Sequence, residues 1–175
     1  MGPVVRELIV MRHAKAEPVA RSDHDRDLTA RGVADAAAAG RWAEENGYLP
    51  DHVLVSSANR TQGTWQAFRR ASGCEHEAVI DPGIYAAGTD AALAILRTAP
   101  RDANRVLIIG HNPTMAYLVH LLDDGSAEPA LFERVMREYP TSALTVLAVD
   151  SEWADLDVAS ARITDFHVGR GQQDD

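Results

Sequence analysis

Two histidines that follow apolar runs carry the strongest chemical signal in this chain. Arg12-His13 comes directly after Leu8-Ile9-Val10-Met11, and Gly110-His111-Asn112-Pro113 comes after Arg105-Val106-Leu107-Ile108-Ile109. A third polar cluster, Ser56-Ser57-Ala58-Asn59-Arg60-Thr61, follows Val53-Leu54-Val55. An imidazole nitrogen without a proton can attack phosphorus and form a covalent phosphoenzyme. Fixed guanidiniums around it neutralise charge on the equatorial oxygens of the transition state. Backbone N–H groups at a helix N-terminus add to that effect. His13, His111, Arg12 and Arg60 are therefore candidates for phosphoryl transfer, and arginines in this role make a metal ion unnecessary.

Other chemistries fit less well. His13, His24, His76 and His111 with nearby carboxylates are conceivable zinc or iron ligands, but no pair has His-x-His or His-x-x-x-His spacing. An arginine next to a ligating histidine would also bring cation toward cation. A phosphate-binding loop of the Gly-x-x-x-x-Gly-Lys type needs a lysine, and the sole lysine, Lys15, is elsewhere. No Gly-x-Gly-x-x-Gly is present, so a nicotinamide cofactor is not expected. The single cysteine, Cys74, rules out an intrachain disulfide, and the acids beside it do not activate a thiol. The expected cofactor set is empty, and no metal site is expected.

Composition sets the frame for these residues. The 175 residues are 46% hydrophobic and 25% charged, enough for one cored domain. A formal charge of −9 argues against nucleic acid or an anionic membrane as partner. No basic region followed by a long apolar stretch opens the chain, so a cytoplasmic location is expected.

The elements that must position the candidates alternate between strands and helices. Leu8–Met11, Val53–Val55 and Arg105–Ile109 read as buried strands, and Ala78–Ile80 as a weaker one. Thr29 reads as the N-cap of a helix running to about Asn46 and closed by Gly47, with Val33, Ala36, Ala37, Gly40, Trp42 and Ala43 as its packing face. Lys15 to Asp27 reads as loop. A second helix carries Trp65 and Phe68, and a third, capped by Thr89 or Asp90, carries Leu93 and Leu96. A fourth begins at Pro113 and buries Met115, Leu118, Val119 and Leu122. Leu131–Met136 reads as a short helix, and Ala143–Val149 and Ala159–Phe166 as strands joined by a turn near Ser151-Glu152. The domain is expected over residues 1–168, with Gly169–Asp175 as a polar, mobile tail. This order implies an α/β fold with a mostly parallel sheet and helices on both faces. Ligands of such sheets bind outside the carboxyl ends of the strands, where all three clusters fall.

In combination these motifs resemble the histidine phosphatase superfamily, which includes the phosphoglycerate mutases. Arg12-His13-Ala14 resembles its Arg-His-Gly, with Ala in the place of Gly. Ser56-x-x-x-Arg60-x-x-x-Thr64 and the later His111 resemble its second and third elements. Arg26-Asp27-Leu28-Thr29-x-x-Gly32 and Gly110-His111-Asn112-Pro113 resemble the small SixA-type phosphohistidine phosphatases. The stretch from Arg60 to His111 leaves no room for the large insertion of the mutases, and the likeness extends to about Val149. The resemblance implies a phosphoglycerate mutase-like fold and a metal-independent phosphatase. His13 would be the nucleophile, Arg12, Arg26 and Arg60 would bind phosphoryl oxygens, His111 would act as an imidazolium, and Asn112 would be a further donor. It implies a substrate that is phosphohistidine on a protein, or else a small phosphorylated molecule. A non-catalytic phosphate-binding domain is the reading from another class. Ester-cleaving members use a glutamate as general acid before the third helix. The stretch Asp81–Asp90 has none, and Asp81 and Asp90, the possible substitutes, read more simply as turn former and cap.

Overall fold

The computed structural model describes residues 5–172. Strands β1 (Arg6–Arg12), β2 (His52–Ser56), β3 (Ala78–Asp81), β4 (Arg105–Gly110), β5 (Ala143–Val149) and β6 (Ala161–Val168) form one six-stranded sheet in the order β3-β2-β4-β1-β5-β6. The first four run parallel, while β5 is antiparallel to β1 and β6 to β5. The fold is α/β with a mixed, mostly parallel sheet.

The continuous apolar runs follow from cover on both faces. Leu8 and Val10 of β1 point to one side, and Ile9 and Met11 to the other. Helices α1 (Ala30–Glu45) and α2 (Asn59–Ser72) pack over Ile9 and Met11 through Ala39, Ala43, Trp65 and Phe68. On the opposite face are α3 (Pro82–Tyr85), α4 (Thr89–Leu96), α5 (Thr114–Leu122) and α6 (Pro129–Arg137), which contribute Ile84, Leu96, Leu118 and Val135. Alanines and Gly40 let α1 lie close on α2: a Cβ on Gly40 would stand 2.4 Å from the Phe68 carbonyl oxygen. No helix among the described residues is long and apolar enough to cross a membrane.

Several local expectations are corrected. Val33 is 48% exposed, and the inward position on that turn of α1 is Asp35, 1% exposed. The buried carboxylate explains the C-terminal segment. Gly171 donates its N–H to Asp35 Oδ1 at 2.9 Å, and Arg170 reaches Asp35 at 3.5 Å and the Thr141 carbonyl at 2.9 Å. Gly169 donates to the Ser142 carbonyl. The segment expected to be free is thus tied down as far as Gly171, because a buried carboxylate needs donors; residues 173–175 of it lie outside the described residues. Helix α4 is capped by Gly88, and neither Thr89 nor Asp90 makes the cap. Asp81 caps the short α3 by accepting from the Gly83 N–H, so the segment read as a break is one turn of helix. Between β5 and β6 the chain makes a 3-10 turn, Trp153–Asp155.

Strands β2, β4 and β1 are neighbours, so Ser56, Gly110 and Arg12 end side by side. The loop after β1 returns to α1 through Thr29, which accepts from the Gly32 N–H as N-cap while its own N–H donates to the Lys15 carbonyl. Gly32 makes this approach possible: a Cβ there would lie 2.1 Å from the Lys15 oxygen. Gly32→Ala should therefore destabilise the protein by about 1–3 kcal/mol, read as a lower urea midpoint at unchanged m-value. An unchanged midpoint would show that the loop is not clamped at this point.

Candidate active site

The site begins with the hydrogen bonds that hold His13. Its N–H donates to the Gly110 carbonyl at 3.1 Å, extending the β1–β4 ladder, and its carbonyl accepts from the Ser142 N–H. Nδ1 lies 2.7 Å from the carbonyl oxygen of Ala14. A carbonyl only accepts, so the bond assigns the ring proton to Nδ1 and leaves the lone pair on Nε2. The Ala14 N–H donates to Thr64 Oγ1 at 2.9 Å, and the Thr64 hydroxyl donates to the Arg60 carbonyl at 2.7 Å. One threonine thus ties the turn of His13 to the helix that bears Arg60.

Burial is the largest influence on the charge of His13, and it lowers the pKa to about 3. The Ala14 bond opposes this, and His111, Arg60 and Arg12 add to the lowering. Like-charge repulsion from these three groups is the smaller part. His111 lies with its ring centroid 5.5 Å from that of His13, and its Nε2 is 2.7 Å from Ser56 Oγ. Burial first, then Arg60, lower its pKa to about 4. The expected imidazolium is therefore a neutral ring near pH 7; desolvation among guanidiniums disfavours its charge. A phosphoryl dianion beside it would work in the opposite direction.

Arg60 is 6% exposed. Its Nη1 donates to the Asp23 carbonyl at 2.8 Å and its Nη2 to Asp23 Oδ2 at 3.0 Å. Arg12 is half-buried and donates through Nη1 to the Tyr139 carbonyl at 3.1 Å. Arg12 Nε, Arg60 Nε and His111 Nδ1 are buried without a hydrogen-bond partner, so much of the unmet polar capacity among the described residues gathers here. The structure brings His13, His111, Arg12 and Arg60 together. Arg26 reaches the group through Asp23, donating to Oδ1 at 2.9 Å while its Nε holds the Glu17 carbonyl at 2.7 Å. Asn112 uses both ends of its amide in the scaffold, donating to the Tyr139 carbonyl and accepting from the Ala116 N–H.

Four residues escape a reading of the sequence as active-site parts. Asp23 joins Arg26, Arg60 and Tyr85, whose hydroxyl donates to Oδ2 at 2.7 Å. The Tyr85 ring stands edge-on to His111 at 5.5 Å and to His24 at 4.9 Å. His24 Nε2 lies 3.0 Å from Ser57 Oγ. Tyr139 is buried, donates its hydroxyl to the Val10 carbonyl, and so fixes the carbonyl shared by Arg12 and Asn112. Asp81 is occupied as the cap of α3 and Asp90 is an exposed residue of α4, so neither is built into this cluster. Among the described residues no three His, Cys, Asp or Glu side chains are grouped to hold a metal ion.

Comparison with known proteins places this geometry in a family. The model of the histidine phosphatase superfamily (branch 1) matches residues 8–85. A Mycobacterium tuberculosis protein, Rv1276c, is 34% identical over 162 residues, covering 91% of this chain and 100% of that one. A Nakamurella multipartitia structure assigned as the phosphohistidine phosphatase SixA superposes with a TM-score of 0.83 at 32% identity, over 94% of this chain and 96% of that one. An Agrobacterium tumefaciens structure assigned likewise gives a TM-score of 0.76 at 30% identity, over 96% and 99%. The chain belongs to the histidine phosphatase superfamily. Within it the chain is of the SixA type, with the phosphoglycerate mutase-like fold and without a large insertion between Arg60 and His111. Family and fold support phosphatase activity.

The charge states make a test. Both rings should stay neutral down to about pH 5, and addition of inorganic phosphate should raise their midpoints, as followed by imidazole proton resonances. Midpoints near 6.5 without phosphate would contradict the desolvated pair. The same shifts bear on stability. Between the folded values of about 3 and 4 and the ordinary 6.5, the unfolded chain binds more protons. Stability should therefore be full above pH 6.5 and fall as the pH drops through that window, measured by urea unfolding at a series of pH values.

Proposed function

We propose that this protein is a metal-independent phosphatase that removes the phosphoryl group from phosphohistidine on a partner protein, through a phosphorylated His13. The observation that carries the proposal is the fixed tautomer of His13: Nδ1–H held by the Ala14 carbonyl, and an unprotonated Nε2 among Arg12, Arg60 and His111. In the first step the Nε2 lone pair forms a bond to phosphorus. The bond from phosphorus to the substrate's ring nitrogen breaks, and its electron pair returns to that nitrogen. Arg12 and Arg60 offset the charge on the phosphoryl oxygens. His111, neutral beforehand, gains its proton most readily beside that dianion and then stabilises it as a donor. In the second step water attacks phosphorus and the electron pair returns to Nε2 of His13. A proton of the water leaves with the phosphate or to solvent. Guanidiniums supply the cationic charge, so chelators should leave turnover unchanged.

The choice of phosphohistidine rests on the leaving group. An alkoxide needs a proton donor at the bridging oxygen. Asp81 is engaged with the Gly83 N–H, and Asp23 is held far below the usual carboxylate range by Tyr85, Arg26 and Arg60. A carboxylate so held does not serve as an acid near neutrality. Phosphohistidine protonated on its other ring nitrogen releases neutral imidazole and needs no new proton, and the ring pKa of about 6.5 makes that form accessible. The two SixA-assigned structures are consistent with this substrate class.

Rapid quenching with labelled substrate should trap acid-labile label on the peptide that contains His13, and His13→Ala should abolish both label and turnover. A phosphohistidine peptide should exceed alkyl phosphates in kcat/KM by at least about a hundredfold, the scale of one missing general acid. Equal turnover of an alkyl ester would reassign the protein as a small-molecule phosphomonoesterase. Phosphate binding without any turnover would make it a binding domain.

A further inference from the structure

Asp23 is anomalous for a site that must receive an anion. Its carboxylate faces three donors from three parts of the fold: Arg60 of α2 at 3.0 Å, Arg26 of its own loop at 2.9 Å, and Tyr85 of α3 at 2.7 Å. Arg60 also gives its Nη1 to the Asp23 backbone carbonyl, so one residue takes both terminal nitrogens of the most buried guanidinium in the cluster. The Asp23 side chain is itself 53% exposed, whereas that of Arg60 is 8% exposed. The carboxylate thus joins a buried guanidinium to the exposed side of the cluster.

We propose that Asp23 is a specificity-determining residue: its carboxylate is an internal anion that a phosphoryl group displaces from Arg60, and its charge at the mouth selects against substrates with a second anionic group. Three features support this. First, Asp23 occupies both terminal nitrogens of Arg60, Nη2 through its carboxylate and Nη1 through its backbone carbonyl, and a phosphoryl group binds a guanidinium through the same donors, so the two compete for Arg60. Second, when Arg60 turns to phosphate, Asp23 keeps Arg26 and Tyr85 as partners. The negative charge is then retained beside the leaving group. Third, that charge repels a carboxylate or second phosphate on the leaving group. It welcomes the ring N–H of a phosphohistidine, an imidazole that carries a proton and no anion. This last point rests on the proposed function; the competition for Arg60 does not. Arg26 accordingly acts on Asp23, as a positioning residue.

The test uses Asp23→Asn, which keeps size and removes charge, and Asp23→Glu, which keeps charge. Calorimetric titration with inorganic phosphate should give about tenfold tighter binding to Asp23→Asn than to wild type, the scale of one removed like charge near the ligand. Asp23→Glu should bind as wild type does. Asp23 is exposed enough for both variants to fold, which thermal unfolding would verify. Unchanged or weaker phosphate binding by Asp23→Asn would overturn the proposal and leave Asp23 as a mere support for Arg60. In kinetics, the ratio of kcat/KM for a phosphohistidine peptide to that for phosphoglycerate should fall about tenfold in Asp23→Asn and recover in Asp23→Glu. A ratio that does not move overturns the selection by charge. If wild type leaves phosphohistidine peptides intact, the proposed function fails while the phosphate titration still decides the role of Asp23.

Discussion

For His13 to act as the proposed nucleophile, its imidazole must lack a proton at one nitrogen while guanidiniums crowd around it, and the contacts of the site are consistent with that requirement. Burial and neighbouring cations both push the proton off His13, and the Ala14 carbonyl settles which nitrogen keeps the remaining one. The rest of the turn is built to hold that carbonyl in place. Thr64 fixes the Ala14 amide, Gly110 fixes the His13 amide, and Ser142 fixes the His13 carbonyl. Strands β1, β4 and β2 must lie side by side for these bonds to form, and α2 must start where Thr64 faces Ala14. The parallel part of the sheet is in this sense the frame of one tautomer.

The same burial creates an electrostatic imbalance. Arg12 and Arg60 bring two positive charges beside two rings that desolvation keeps neutral. A cluster of that sign attracts phosphate strongly, and it would also hold the product. Asp23 brings a compensating charge at the exposed side, and Tyr85 and Arg26 hold it there. The acidic excess of the whole chain does not provide this, since screening weakens distant surface charge within a Debye length of about 8 Å. Local balance has to come from a residue in the mouth itself.

The frame was more legible in the sequence than the mouth. Strands covered on both faces read as unbroken apolar runs, so β1, β2, β4 and β5 stand where the runs predict them. The strand ends then point to Arg12, His13, Arg60 and His111 without reference to side-chain chemistry. Ser56, Arg60 and Thr64, spaced by four, read as one motif. The structure gives them three separate tasks: holding His111, meeting Asp23, and holding Ala14. Helix α3 was not legible, because a single turn has no periodicity and Asp81-Pro82-Gly83 resembles a break. The pairing of Asp23 with Tyr85, 62 residues apart, was equally hidden. Nothing in a polar loop shows that its carboxylate will meet a tyrosine on another element. The neutral state of His111 in the absence of phosphate was hidden for a related reason. Sequence shows which charges are near in the chain, whereas desolvation, the dominant influence, is a property of the packed structure.

The division between frame and mouth suggests how one scaffold of this kind supports different leaving groups. His13, His111, Arg12 and Arg60 belong to strand ends and to the first turn of α2, where a shift of any one disturbs the sheet register or the Thr64 bond. Asp23, His24, Arg26 and Tyr85 lie on the loop after β1 and on the single turn of α3. Their contacts run mainly to one another and to Arg60 and His111. On the proposed mechanism, exchange of such residues would change the charge and the proton supply at the bridging atom and leave the attack on phosphorus untouched. Here the mouth holds an ionised carboxylate, a neutral phenol and an imidazole. That set suits a leaving group that already carries its own proton.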